Sequence, residues 1–424
     1  MGILALLLLA LALLLSAERY VLIPLALLAG FAFIRLPEPV VALAAAVPYL
    51  ALANLEGIVH PSGHPYPSEV ILLAALTVLG FRARLGWRFG GASGWALAYG
   101  AWMTIAALAA AGTTDSQAIV RLVRIGFLAT ALFALGREAA RRDRGAIHAI
   151  DAALGAAALM AILGLGEAAI GWWRTGGGAP TIGSAVGGPE LLALQLTLLA
   201  PPALALAALG RDSAFATRIL VASTGLALAL TCSRAGWAGG FAAILGMGLL
   251  ACKLTPPAGR KLLWLAVGIL GLAGIGAILL VIPGSPLAPY GERIRQLSPA
   301  SLIAARRADW GAGIETIRAH PLFGQPDAPN AYNLFLGLGA TSGVLAPLLF
   351  SGLVVAAGRS GLRAVREHRV TAPETIGLFG AILGLLVTGM GEATLGARLT
   401  PPAFLFLGLW CGLGDHPHPR ERSA

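Results

Sequence analysis

The chain has 424 residues, of which 57% are hydrophobic and 12% charged, about half the charged fraction of an ordinary soluble domain. Mean hydropathy is +0.81 and apolar runs recur near the length needed to cross a bilayer, which excludes a soluble globular protein. The net charge of +10 comes mainly from arginines clustered between apolar runs, a pattern that orients membrane proteins, so no nucleic-acid partner is expected.

In chain order, the apolar runs predict spans at residues 2–17, 20–34, 38–55, 68–81, 92–111, 117–135, 146–171, 189–209, 217–232, 235–252, 262–283, 332–357, 373–390 and 400–414. The fold class is therefore all-α, a polytopic transmembrane bundle of about 12 to 14 spans. The first run has no basic region ahead of it and no small-residue cleavage site before Glu18 and Arg19. It reads as a transmembrane helix and not as a signal peptide.

With the N-terminus in the cytoplasm, alternate loops carry 19 of the 30 basic residues. This bias predicts an even number of spans with both termini cytoplasmic. The organisation expected is N-terminal helices over 1–110, central helices over 111–283, a long outer loop over 284–331, C-terminal helices over 332–414 and a cytoplasmic tail over 415–424. The outer segment is too long for a simple turn, and its stretch 304–318 predicts a short helix ending before His320-Pro321. Smaller outer segments lie at 60–68 and 172–188.

Cys232, Cys252 and Cys411 lie in or beside apolar runs, with no C-x-x-C pair and no adjacent histidine. That pattern argues against disulfides and zinc, and no carboxylate-histidine cluster has the spacing of a metal site. No metal and no cofactor are expected.

Three groups of residues carry candidate chemistry. Arg234, in the stretch Thr231-Cys232-Ser233-Arg234 where two apolar runs nearly touch, offers a permanently charged planar fork for phosphate. As a bland alternative it is an arginine snorkelling from a helix end. Arg121 and Arg124 share one face of a span. They either draw an anionic group such as a lipid pyrophosphate into a cavity or form ion pairs, with Asp115 and Glu167 as partners. The long loop brings Arg306, Arg307, Asp309, Glu315, Arg318, His320 and Asp327 together, a mixture suited to phosphate binding and proton transfer and equally to a solvated helix with surface ion pairs.

Several segments together resemble the O-antigen ligase and O-antigen polymerase superfamily of bacterial membrane glycosyltransferases. They are the Gly-rich, Pro-containing stretch from Gly183 to Ala193, then Ser233-Arg234, then Arg306 four residues before Trp310. Next comes His320-Pro321-Leu322-Phe323-Gly324, and last Tyr332-Asn333-Leu334-Phe335-Leu336 with Gly343 leading into a span. Their order is similar to the family's over about residues 180–350.

The resemblance implies metal-independent transfer of a glycan from a polyprenyl-pyrophosphate donor to a lipid, glycan or protein acceptor at the periplasmic face of the bacterial inner membrane. Arg234 and Arg306 would grip the pyrophosphate, with Arg121 and Arg124 as further candidates, and Asn333 would position the acceptor. In ligases the residue before this Asn is usually a His proposed as the base, whereas here it is Tyr332, and tyrosine, with a reference pKa of about 10, is as a residue type a poor base near neutrality. His320, Glu315 or Asp327 then takes the proton, or Tyr332 only orients the acceptor, or this branch uses another acceptor or has lost activity. Alternatives of a different class are a flippase or exporter of lipid-linked saccharides and a non-catalytic member of the family.

Overall fold

A computed structural model describes residues 91–111, 116–141, 145–175, 188–209, 215–257, 259–268, 299–328, 331–366, 373–391 and 400–414, together with Leu72, Ala74, Ala75, Thr77, Val78 and Ile182. The spans expected at 2–17, 20–34 and 38–55, most of those at 68–81 and 262–283, the segment 60–68, most of the segment 172–188, the loop before 299 and the tail from 415 lie outside the described residues.

Every regular element among the described residues is an α-helix. In chain order these are α1 (Ala92–Ala109), α2 (Ser116–Ala140), α3 (Gly145–Thr175), α4 (Pro189–Leu209), α5 (Phe215–Leu230), α6 (Arg234–Leu254), α7 (Pro299–Ala319), α8 (Leu334–Ser342), α9 (Leu345–Arg366), α10 (Pro373–Gly391) and α11 (Thr400–Gly414). Residues 259–268 are also helical. Among the described residues, six helices are long and apolar enough to cross a membrane, and Arg218–Leu230 and Ala403–Gly414 are shorter apolar helices. The chain is a membrane protein built as an all-α bundle.

Two expectations about helix limits change. The apolar run at 332–357 is not one span. It divides into α8 and α9 at Gly343, whose φ of 79° is left-handed and ends α8. Hydropathy does not register this break, because glycine is neutral in composition while free to adopt that conformation. The helix expected at 304–318 starts earlier, at Pro299, where proline suits a first turn that needs no donor.

Helix association in lipid gains little from apolar burial and relies on close packing of small residues. The α1–α2 crossing shows this: a Cβ on Gly126 would lie 2.6 Å from the Gly100 carbonyl oxygen. Nearby, the Thr130 hydroxyl donates to Ala96 O at 3.3 Å and to its own helix at Gly126 O at 3.0 Å. On its other side α2 packs closely against α11 through Gly136, Gly408 and Gly412. Tyr99, Phe350 and Phe404 fill the space where α1, α9 and α11 meet, all fully buried.

These contacts fix helix directions. Ala193 meets Gly236 and Thr197 meets Gly239, so α4 and α6 run parallel. Opposed to both, α10 meets Pro202 of α4 with its early Gly377 and Thr197 with its later Gly384. Leu228, late in α5, lies on Gly236 and Gly240, early in α6, which makes these two an antiparallel hairpin. One end of the bundle therefore gathers Arg137, Arg141, Arg218, Lys253, Arg260, Lys261, Arg359, Arg363 and Arg366. At the opposite end lie the α5–α6 turn, the start of α8 and the close of α10.

Gly126→Val forces branched atoms against the α1 backbone, an overpacking worth about 1–3 kcal/mol. We expect a fall of several degrees in the unfolding midpoint in detergent, while Gly166→Ala, where an added Cβ meets nothing within 4 Å, leaves the midpoint unchanged or higher.

Candidate functional site

The turn between α5 and α6 takes only Thr231, Cys232 and Ser233. Such a tight reversal needs a left-handed residue, and Cys232 supplies it with φ 54°. Ser233 is extended and caps α6, its Oγ accepting from Gly236 N at 2.9 Å. The Thr231 hydroxyl oxygen accepts from Ser233 N at 3.2 Å. Arg234 is thereby the first residue of α6, exposed, at a helix end whose dipole favours anions.

The second element is α8. Asn333 caps it, its Oδ1 accepting from Phe335 N at 3.0 Å and Leu336 N at 3.1 Å. From the same amide, Nδ2 donates to Met390 O at 3.1 Å, which satisfies a carbonyl left without an intrahelical partner at the close of α10. The residue before the cap, Tyr332, is left-handed with φ 44°. For an L-residue with a bulky side chain that conformation costs about 1–2 kcal/mol, so neighbours must hold it.

One neighbour is Arg306 of α7, whose guanidinium carbon sits over the Tyr332 ring, 4.1 Å from its centroid. α7 lies alongside α8 and parallel to it. A Cβ on Gly313 would stand 2.9 Å from Ala331 Cβ, and one on Gly339 would stand 2.8 Å from Ile317 Cδ1.

The three parts meet. A Cβ on Gly391, the last residue of α10, would lie 2.8 Å from Ala235 Cβ, next to Arg234, and one on Gly389 would lie 3.0 Å from Leu334. The line from Arg234 to Arg306 thus runs through Ala235, Gly391, Met390, Asn333 and Tyr332. It joins the N-termini of α6 and α8, and with them the backbone that carries Arg234 and the ring under Arg306, around the end of α10.

Other candidates lie elsewhere. His320 follows the end of α7, fourteen residues from Arg306, which is about 20 Å along the helix. Its turn docks at the far end of α8: Val344 N donates to Pro321 O at 3.0 Å, Gln325 N to Ala340 O at 2.7 Å, and Trp102 of α1 stacks on Phe323 while donating to Ser342 O at 2.8 Å. Glu315 is exposed and, nine residues after Arg306, faces the opposite side of α7. Asp309, half-buried, shares the Arg306 side at a spacing of three. Asp327 is exposed in the segment after the docked turn.

Arg121 is exposed and Arg124 half-buried on α2, a helix whose main neighbours are α11, α1 and α3. The two share their face of α2 but are carried by a different part of the bundle from Arg234 and Arg306. Glu167 is half-buried on α3, and Asp115 lies outside the described residues. Among the described residues no group of three His, Cys, Asp or Glu side chains is placed to hold a metal ion.

Sequence reasoning missed the close of α10. Met390 and Gly391 have no chemistry of their own, and their part is to bring backbone within reach of Asn333 and Ala235. The signal available was the glycine spacing Gly389-Met390-Gly391 at the end of an apolar run. Asn333, expected to position an acceptor, has its amide engaged in capping α8 and tethering it to α10.

Asn333→Ala removes the cap and the tether together, a change of about 1–2 kcal/mol, and we expect a matching loss in thermal unfolding. Asn333→Asp keeps the accepting oxygens and loses the donation to Met390 O, so its melt falls between the two. No protein-family model matches the chain, and no curated protein gives a significant match.

Proposed function

We propose that the protein is a glycosyltransferase of the O-antigen ligase type, moving a glycan from a polyprenyl-pyrophosphate donor to a lipid, glycan or protein acceptor. The observation that carries this reading is the contact path joining Arg234 to Arg306 through the ends of α10 and α8. Two permanently charged forks set near two helix N-termini suit a diphosphate, which bears charge at both phosphorus centres.

In the reaction, an acceptor hydroxyl oxygen attacks the anomeric carbon while the bond from that carbon to the pyrophosphate oxygen breaks. Polyprenyl pyrophosphate leaves with the electron pair, and Arg234 and Arg306 stabilise the charge that develops there. The acceptor proton goes to a base. Asp309 is the carboxylate on the Arg306 side of α7, whereas His320 and Glu315 lie respectively along and around the helix from it.

The end of the bundle rich in Arg and Lys is read as cytoplasmic, since basic residues concentrate on that side. The site then faces the periplasm of the bacterial inner membrane. A single cysteine at position 320 in a cysteine-free background is expected to react in intact cells with an impermeant maleimide, and one at position 366 only after permeabilisation. The reverse pattern inverts the orientation and removes a periplasmic transferase.

Release of polyprenyl pyrophosphate from a lipid-linked oligosaccharide by purified protein, with a membrane glycan extract as acceptor, tests the activity itself. Wild type should release it. Arg234→Ala and Arg306→Ala should each lower the rate at least about a hundredfold, as loss of one preorganised charge-stabilising group does. Full release by Arg234→Ala refutes the assignment, and donor crossing the bilayer intact in proteoliposomes points to a flippase.

A further inference from the structure

We infer that Tyr332 is a positioning residue whose ring, not its hydroxyl, serves the reaction, as the platform on which Arg306 is held toward the donor pyrophosphate. This rests on the donor chemistry proposed above.

The guanidinium carbon of Arg306 lies 4.1 Å from the ring centroid, well inside the range of a cation–π contact. A guanidinium held through its central carbon presents its five N–H donors along its own plane. Contact with the ring therefore constrains the group without occupying the edges that grip phosphate. An unanchored arginine is long and must lose rotamer freedom on binding, and the ring removes part of that loss beforehand.

The backbone supports the same role. A left-handed position normally takes glycine, and Tyr332 adopts it at φ 44° between the Asn333 cap and the Arg306 contact. Strain of this kind persists where the surroundings over-determine it and is a mark of functional positions. The tether from Asn333 to Met390 O sets the height of the ring relative to the close of α10, and so relative to Ala235 and Arg234. Gly313 admits α7 against Ala331, one residue before the ring, which brings the arginine stem within reach.

The experiment compares the full-length purified protein with Tyr332→Phe, Tyr332→Ala, Tyr332→Gly, Arg306→Ala and the Tyr332→Ala/Arg306→Ala double variant. It reads kcat and KM for the lipid-linked donor, the pH–rate profile and the thermal midpoint in detergent. Tyr332→Phe is expected to keep kcat/KM within about threefold of wild type with an unchanged pH profile. Tyr332→Ala should lose about thirtyfold to a hundredfold in kcat/KM, the scale of a misplaced charged group, with kcat falling as well as KM rising. Tyr332→Gly is at ease in the left-handed backbone, so an equal loss there belongs to the ring and not to misfolding. The double variant should be no worse than Arg306→Ala alone. A Tyr332→Phe variant as impaired as Tyr332→Ala, or additive losses in the double variant, overturns the inference.

If wild type releases no polyprenyl pyrophosphate, the proposed function fails, and the stability cycle decides the platform separately. Non-additive shifts in midpoint for Tyr332→Ala and Arg306→Ala, with Tyr332→Phe like wild type, support the platform. Additive shifts sink it.

Discussion

Backbone polar groups have no water to turn to inside a bilayer, and a spanning chain can break its helices only where the freed groups find partners within the protein. The region around α8 meets this demand at both ends. Asn333 supplies acceptors for the first N–H groups of α8 and a donor for the orphan carbonyl of Met390. At the other end, the 320–324 turn and Trp102 take up the groups around Gly343. Short α8 survives because every break is answered by a neighbour, and those answers position the arginines.

The same demand explains why the glycines sit where they do. Gly324 and Gly343 are both left-handed, and side chains there would collide with the facing backbone of Ser342 and Leu322 respectively. The His320-Pro321-Leu322-Phe323-Gly324 segment is thus an anchor as well as a motif: it clamps the end of α7 to the α8–α9 junction. With that end fixed and Gly313 pressed on Ala331, α7 has little freedom to slide, and Arg306 is held at the level of Tyr332. Stability at one end of α8 is turned into placement at the other.

Hydropathy made the helices from α1 to α6, α10 and α11 legible, because apolar runs of that length have few alternatives and several of their ends are marked by arginine or proline. It did not show the break at Gly343, since a glycine inside an apolar run carries no polarity. Ser233-Arg234, Arg306 and Tyr332-Asn333 were visible as residue types in order, but their mutual placement was not. That placement depends on the close of α10, whose contribution is a carbonyl and a missing side chain. His320 read as a nearby imidazole from sequence distance alone, and the parallel course of α7 and α8 carries it to the far end instead.

The three-residue link between α5 and α6 bears on how the chain enters the membrane. α5 has 16 residues and α6 has 21, with no room between them for either helix to partition independently of the other. In the orientation proposed above they insert together, as a helical hairpin whose leading tip carries Arg234 through the hydrocarbon. A lone arginine at mid-bilayer costs about 2.5–3.5 kcal/mol on the insertion scale, and the apolar stems of two helices offset it in one step. The shortness of the turn thereby makes biogenesis of the charged site a property of the pair, completed only when α10 and α8 arrive later in synthesis to close around it.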